Sequence, residues 1–347
     1  MLRASCFAAI LFLTGAAQAQ QPWTFAVSGD SRNCGDIVMP AIAAGVHRDQ
    51  AAFYWHLGDF RAIYDFDEDY KQLSGGHPLI IDYEKNAWDD FIQNQLVPFD
   101  ETAIYLAIGN HELIAPKTRP DYLIQFADWL DTPELRQQRL HDKPNDHRLR
   151  TYYHWQRGGI DFISLDNASP EQFDNDQITW FEQVLATDTA DPSIATVVVG
   201  MHEALPDSIA RGHSMSDSPQ AEASGRRAYS DLLKLHQSKK NVYLLASHSH
   251  FFMDGIFNTD YWRNNGGVLP GWIIGTAGAV RYPLPPNAGD AKAAKTNVYG
   301  YVLATVNSDH TIDFHFHEFQ EQDVPADVVT HFSRDFVHQC FVANPPR

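Results

Sequence analysis

The stretch Tyr105-Leu106-Ala107-Ile108-Gly109-Asn110-His111-Glu112 joins an apolar run to three polar side chains in succession. An amide, an imidazole and a carboxylate on consecutive residues cannot share one direction. The chain must therefore turn at Gly109 as it leaves a buried strand, and a loop at a strand end can fan such groups around a ligand. Four other apolar runs stop in a similar way. Residues 23–28 stop at Gly29-Asp30-Ser31-Arg32, residues 52–57 at Gly58-Asp59, residues 195–199 at Gly200-Met201-His202-Glu203, and residues 242–246 at Ser247-His248-Ser249-His250. A single Asp after a strand glycine reads most simply as a turn or a helix cap. Five such endings in one chain point instead to a shared site. Asp30, Asp59, Asn110, His202, His248 and His250 offer carboxylate, carboxamide and imidazole donors, a mixture suited to Mn, Fe, Zn or Co and unlike the all-oxygen shell of calcium. Such donors can seat two ions roughly 3.5–4 Å apart with a carboxylate between them, an arrangement that serves in-line phosphoryl displacement.

The elements that must position these residues alternate in the first half of the chain. A helix over about 37–50 separates the first two strands, and an insertion rich in acids and aromatics follows Asp59. Helical spacing continues at 88–96 and 121–130, whereas 133–144 is polar and reads as a loop. The runs 152–155 and 161–165 form a hairpin about Arg157-Gly158-Gly159. A helix over 175–185, a long loop over 205–224 and a helix over 226–236 come next, and strands at 272–275, 300–306 and 311–317 complete the pattern. Strands alternating with helices, followed by late antiparallel strands, predict a mixed α/β sandwich with its site at strand carboxyl ends.

Gly58-Asp59, Gly109-Asn110-His111-Glu112, the strand ending in His202, and His248-Ser249-His250 resemble the signature blocks of the calcineurin-like metallophosphoesterases. Order and spacing agree over nearly the whole of residues 20–347, and segments 161–166 and 177–185 resemble stretches between those blocks. The resemblance implies a four-layer αββα sandwich of two mixed sheets flanked by helices, with a dinuclear centre at the strand C-terminal ends. It implies that Asp59 bridges two divalent or mixed-valence ions, with Asn110, His202 and His248 on one and Asp30 and His250 on the other. His111 is implied beside the leaving-group oxygen, as electrostatic stabiliser or general acid, oriented by a nearby carboxylate. The implied activity is hydrolysis of small phosphomonoesters or phosphodiesters by attack of a metal-bound hydroxide.

Two departures stand out. The family's first block usually reads Asp-x-His, but here it is Asp30-Ser31-Arg32, and a guanidinium cannot ligate a cation. The last block starts at Ser247 where a glycine is usual. Three roles for Arg32 stay open. It clamps a substrate phosphate with its planar fork, a catalytic role alongside His111; it pairs with Asp65, Asp67 or Asp69; or the first ion is weak or absent. In the last case the chain is a degenerate member of the fold that binds phosphate or a partner without turnover. Purple acid phosphatases also lack that His and recruit a Tyr three residues after the bridging Asp. That position is Ala62 here, with Tyr64 two residues further on.

Composition sets outer bounds. A net charge of −18 with no Lys/Arg-rich run argues against binding nucleic acid through phosphate neutralisation, and no G-x-S-x-G elbow marks a serine hydrolase. Apolar content of 44% with 12% aromatics is core-forming. Met1-Leu2-Arg3, the apolar run 7–13 and Ala17-Gln18-Ala19 read as a signal peptide cleaved after Ala19. Residues 20–347 are then one exported metallophosphoesterase domain, periplasmic or secreted. No run reaches the ~18 apolar residues a membrane span needs. Beyond the signal, Cys34 and Cys340 either form one disulfide or stay as separate buried thiols. His56 reads as a packed core residue, His213 as part of a solvated loop, and the acid run 64–70 as a solvated face.

Overall fold

The computed structural model describes residues 21–342 apart from residue 76, residues 169–171 and residue 217. The expected signal segment, residues 1–19, lies outside the described residues. Among the described residues, twelve strands follow one another as β1 (Trp23–Ser28), β2 (Phe53–His56), β3 (Ala103–Leu106), β4 (Tyr153–Arg157), β5 (Ile160–Ser164) and β6 (Thr196–Gly200), then β7 (Asn241–Ala246), β8 (Phe252–Asp254), β9 (Gly271–Ile274), β10 (Ala293–Lys295), β11 (Tyr299–Val306) and β12 (Ile312–Phe319). They form a five-stranded sheet in the order β12-β11-β1-β2-β3 and a seven-stranded sheet in the order β10-β8-β9-β7-β6-β5-β4. Strands β1, β2 and β3 are parallel, as are β5, β6, β7 and β9, and antiparallel strands border both sets. Both sheets are therefore mixed, as expected.

The strands with ligand-bearing ends are buried on both faces, which is why their sequences run apolar instead of alternating. Phe53 and Trp55 of β2 point between the sheets, with Phe25 and Val27 of β1, Trp155 of β4, Phe162 of β5, Val198 of β6 and Leu245 of β7. Ring pairs dominate this inner layer: Phe25–Phe53 at 5.0 Å, Tyr105–Trp155 at 3.8 Å and Trp155–Phe162 at 5.1 Å. Each such pair adds about 0.5–1.5 kcal/mol beyond its area burial. The opposite faces meet helices. Ala26, Tyr54 and Leu106 pack on Val38 and Ile42 of the helix Gly35–Arg48 and on Phe91 of Ile80–Phe91. Val197, Val199 and Leu244 pack on Phe181 of Asn175–Ala190 and Leu232 of Pro219–Gln237. The result is four layers: helix, sheet, sheet, helix. His56 faces the first helix layer, fully buried against Phe60 and Phe91 and accepting from the Gly58 N–H, so it is the core histidine the sequence suggested.

Several segments depart from the sequence reading. The polar stretch at 133–144 contains a helix, Pro133–Asp142, capped by the Thr132 side chain. Leu135 is its sole buried residue, so apolar periodicity could not reveal it; polar anchors hold it instead. Glu134 accepts from the Tyr105 hydroxyl, and Asp142 lies 2.6 Å from His154 Nε2. The acid run at 64–70 is only partly a solvated face, since Asp65 and Glu68 are exposed but two other acids are not. Asp67 and Asp69 are buried, and Arg61, itself fully buried, reaches Asp36 at 2.6 Å and Asp69 at 3.0 Å and also binds Asp90. The helix at 226–236 begins earlier, at Pro219, so the loop before it is shorter than expected. Ala326–Phe332 and Arg334–Val342 are helices at the end of the chain that were not anticipated. They carry Cys340 to Cys34, and the two cysteines form the disulfide across 306 residues of sequence.

His154 sits between two carboxylates, Asp161 on the neighbouring strand at 2.7 Å and Asp142 on the docked helix. Burial opposes its charge, but the two acids outweigh burial and push the imidazole up to about 10. The folded state then keeps a proton that the unfolded chain releases near pH 6.5. The stability from this trio is complete below about pH 6.5 and is lost as pH rises toward about 10. Urea titrations across that window should show a decline in wild-type stability that is smaller in His154→Gln, where His202, raised against burial to about 10 by Asp59, still contributes in the same way.

Candidate metal centre

The chain leaves β1, β2, β3, β6 and β7 through tight turns that converge on one site. Asp30, Asp59 and His248 adopt left-handed φ values of 60°, 61° and 62°. Such conformations cost a non-glycine residue about 1–3 kcal/mol and persist where surrounding contacts enforce them. Gly58 and Gly109 let two of the exits touch. A Cβ on Gly58, whose φ is 93°, would lie 2.5 Å from the Gly109 nitrogen, and one on Gly109 would lie 2.3 Å from Asp59 Oδ1. Glu112 fastens the same two loops. Its buried carboxylate accepts from the N–H groups of Asp59 at 2.9 Å, Phe60 at 2.8 Å and Gly109 at 2.8 Å. Asn167 does the same for the β6 exit, accepting from the Glu203 N–H and donating to its carbonyl.

Held this way, Asp59, Asn110, His202 and His248 come together. The His202 Nδ1 hydrogen donates to the Leu57 carbonyl at 2.9 Å, so Nε2 faces the site. Burial opposes charge on this imidazole, but Asp59 outweighs burial and raises it to about 10, so the proton on Nε2 is one that a bound ion would displace. That nitrogen lies 3.0 Å from Asn110 Oδ1, 3.2 Å from Asp59 Oδ1 and 3.1 Å from His248 Nδ1. Asp59, His202 and His248 each present one atom within 4.8 Å of the others. Atoms packed so closely need a positive charge among them, which the His202 proton supplies here and a bound cation can replace. Two oxygens and two imidazole nitrogens are a donor set that fits a borderline divalent ion.

The second expected position is different. Asp30 Oδ2 accepts from the His248 N–H at 2.7 Å and from the Ser247 hydroxyl, while Oδ1 lies 3.3 Å from His250 Nε2. Arg32 enters here. One guanidinium nitrogen is 3.1 Å from His250 Nε2 and the other 2.6 Å from His111 Nε2. Arg32 therefore points into the site, and the alternative of a pairing with Asp65, Asp67 or Asp69 does not form; Asp69 serves Arg61 instead. Burial works against the Arg32 charge, but Asp59, Tyr282 and Asp30 outweigh it and raise its pKa. Burial likewise pushes against charge on Asp59, yet His111, His202 and Arg32 hold it well below the ordinary range, and His250 helps draw Asp30 down to about 2.

His111 sits in the site with its N–H donated to Asp59 Oδ1 at 2.9 Å. The carboxylate expected to orient its ring is not the partner: Nδ1 meets the Ala62 carbonyl at 2.7 Å. Burial, reinforced by Arg32 and opposed by Asp59, lowers this imidazole to about 4. His213 is not simply a solvated loop residue. Its ring is exposed but lies 5.3 Å from that of His248 and 5.1 Å from that of Tyr282. Tyr282 escaped the sequence reading altogether. It follows β9 after a run of small residues, stacks on His250 at 3.9 Å, and puts its hydroxyl 3.5 Å from Arg32. The remaining signal was Gly275, where a Cβ would lie 2.7 Å from Asp30 Oδ2.

No family model and no curated protein matches the chain. Solved structures do. A purple acid phosphatase, PPD1 from yellow lupin (Lupinus luteus) seeds, superposes with a TM-score of 0.59 at 17% identity, over 86% of this chain and 52% of its own. A dimetal phosphatase from Danio rerio gives 0.50 at 13% identity, over 81% of this chain and 92% of its own. The chain has the calcineurin-like metallophosphoesterase fold. It spans about half the length of the lupin phosphatase. The same fold also serves GAP50, the anchor in the inner membrane complex of Plasmodium, with a TM-score of 0.51 at 10% identity, over 94% of this chain and 97% of its own.

Residues that orient metal ligands without touching the ion typically contribute a factor of about 10–100 to affinity. Glu112→Gln places an amide N–H₂ among three donors it cannot accept from, and should weaken metal binding by about that factor. Competition with a chromophoric chelator measures it; an unchanged affinity would show that the Glu112 bonds do not set the ligand geometry.

Proposed function

We propose that the chain is an exported metal-dependent phosphoesterase acting on small phosphomonoesters or phosphodiesters. The observation that carries this reading is the convergence of Asp59, Asn110, His202 and His248 on one point, with the other three each placing an atom 3.0–3.2 Å from His202 Nε2, in a fold shared with phosphatases. A divalent ion bound there supplies Lewis acidity toward the phosphoryl oxygens and the attacking water. The chain's own residues do the rest. Asp59 and Asp30 confine the charge, and Arg32 offers N–H groups in a planar fork that suits phosphoryl oxygens. His111 acts through Arg32. Its Nδ1 hydrogen is spent on Ala62 and its Nε2 accepts from the guanidinium, so it aims that cation at the phosphoryl group and is not itself a donor to the leaving group.

Export is part of the proposal. It rests on the three-part pattern of residues 1–19 together with the Cys34–Cys340 disulfide, which suits an oxidising compartment. No helix among the described residues is long and apolar enough to cross a membrane. The purple-acid variant has little support, since the position of its tyrosine is Ala62 and Tyr64 is 63% exposed. The second reading is a degenerate member of the fold that binds a phosphate group or a partner without turnover. The departure at Arg32 favours it, and GAP50 is a neighbour named for anchoring.

The two readings separate on an aryl phosphate and an aryl phosphodiester assayed beside metal content. Asp59→Ala should lose both metal and turnover. His111→Ala should keep its metal and lose about 10²-fold in kcat, the usual effect of letting a positioning group at the site shift by about 1 Å. Full metal content and full activity in Asp59→Ala would overturn the assignment, and phosphate binding without hydrolysis by the wild type would favour the second reading.

A further inference from the structure

We propose that the Arg32 guanidinium stands in place of a second metal ion, so that the centre holds one ion and one fixed organic cation. The inference rests on the metal-binding part of the reading above and goes beyond it in the number of ions.

The argument is one of lone pairs. An imidazole with a hydrogen on one nitrogen has a single lone pair, on the other. The His250 Nδ1 hydrogen is engaged by the Val280 carbonyl, so its lone pair is on Nε2, and an Arg32 nitrogen lies 3.1 Å from that atom. His111 repeats the pattern, with Nδ1 on the Ala62 carbonyl and Nε2 facing the other Arg32 nitrogen at 2.6 Å. Guanidinium nitrogens only donate, so each of these lone pairs is occupied by an N–H and is not available to a metal. Of the groups expected at the second position, only Asp30 Oδ1 and an oxygen of Asp59 are left. Two monodentate carboxylates are too few for the borderline metals that suit the first position.

Charge acts locally in the same direction. Arg32 already places a fixed cation beside Asp30 and Asp59, both 1% exposed or less, so a second divalent ion at that position would sit next to an existing positive charge. The other buried acids of the centre serve elsewhere, Glu112 on the Asp59 N–H and Glu203 3.6 Å from His248. Arg32 is also held in place. It is 8% exposed, with the Tyr282 hydroxyl 3.5 Å from one nitrogen and the Tyr282 ring stacked on His250. A swing out to solvent that freed both imidazoles would also give up the Tyr282 hydroxyl.

The test is metal stoichiometry, read separately from turnover. The purified chain is titrated with Mn²⁺, bound ion per chain is measured by equilibrium dialysis, and the spin coupling is read by electron paramagnetic resonance. Wild type should saturate at one ion per chain with the spectrum of an isolated ion. R32H, which restores an imidazole at this position, should bind two ions and show an exchange-coupled pair. R32A, which frees His250 Nε2 without adding a ligand, should gain a second ion of lower affinity than R32H. Two coupled ions in the wild type would overturn the inference even if the chain proves to be a phosphoesterase, and so would folded R32H and R32A both staying at one ion. If R32H does not fold, the wild-type count and R32A still decide. One ion without hydrolysis of any phosphate ester would support this inference while removing the proposed activity, and no bound ion would remove both.

Discussion

Asp59 carries a negative charge into a place where only 1% of its surface meets solvent, and the surrounding structure makes that tolerable. Desolvating a carboxylate is costly unless it is paired and hydrogen-bonded. Here the compensation comes from three separate segments: the His111 N–H, the His202 imidazole and the Arg32 guanidinium. None of these is a neighbour of Asp59 in sequence. The charge is therefore stable only in the assembled fold, and this is what makes the site receptive to a cation.

The aromatic layer between the sheets is what brings these segments to one place. With Phe25, Phe53, Trp155 and Phe162 locked in ring contacts, the parallel strands β1, β2, β6 and β7 have fixed relative heights, so their exits meet at one level. Rigid strands leave the turns to absorb the mismatch. That is where the left-handed φ values of Asp30, Asp59 and His248 occur, and Ile63, a β-branched residue at φ 64°, is another beside the Ala62 carbonyl that holds His111. Strain of this kind survives because Glu112 and Asn167 bind the loops through their backbone groups.

A second polar layer braces the loop that carries Arg32. The Asn33 N–H donates to Asp67 at 2.6 Å and the Asp36 N–H to Asp69 at 2.9 Å, while Arg61 bridges Asp36, Asp69 and Asp90. Cys34, in the next turn, is tied to Cys340. The segment Asn33–Asp36 is thus fixed from the β2 loop and from the end of the chain. A long side chain such as Arg32 can be aimed accurately only from a backbone restrained in this way.

The sequence by itself determined the mixed α/β pattern, the strands that lead to the site and the polar residues at their ends, Asp30, Asp59, Asn110, His202, His248 and His250. These were legible because buried parallel strands are continuous apolar runs and each ends abruptly in polar residues. The four-layer sandwich came from the family resemblance, and the metal-holding role of those residues is a proposal. Elements held by polar contacts were not legible. The helix Pro133–Asp142 buries one leucine, and Asp67 and Asp69 look like solvated acids until Arg61 is seen between them. Tyr282 and the direction of Arg32 were beyond sequence for the same reason: their meaning depends on partners far away in the chain, His250 and His111. Apolar burial follows a short-range period that a sequence displays, whereas the pairing of charges and lone pairs is decided only when distant segments are brought within 3 Å.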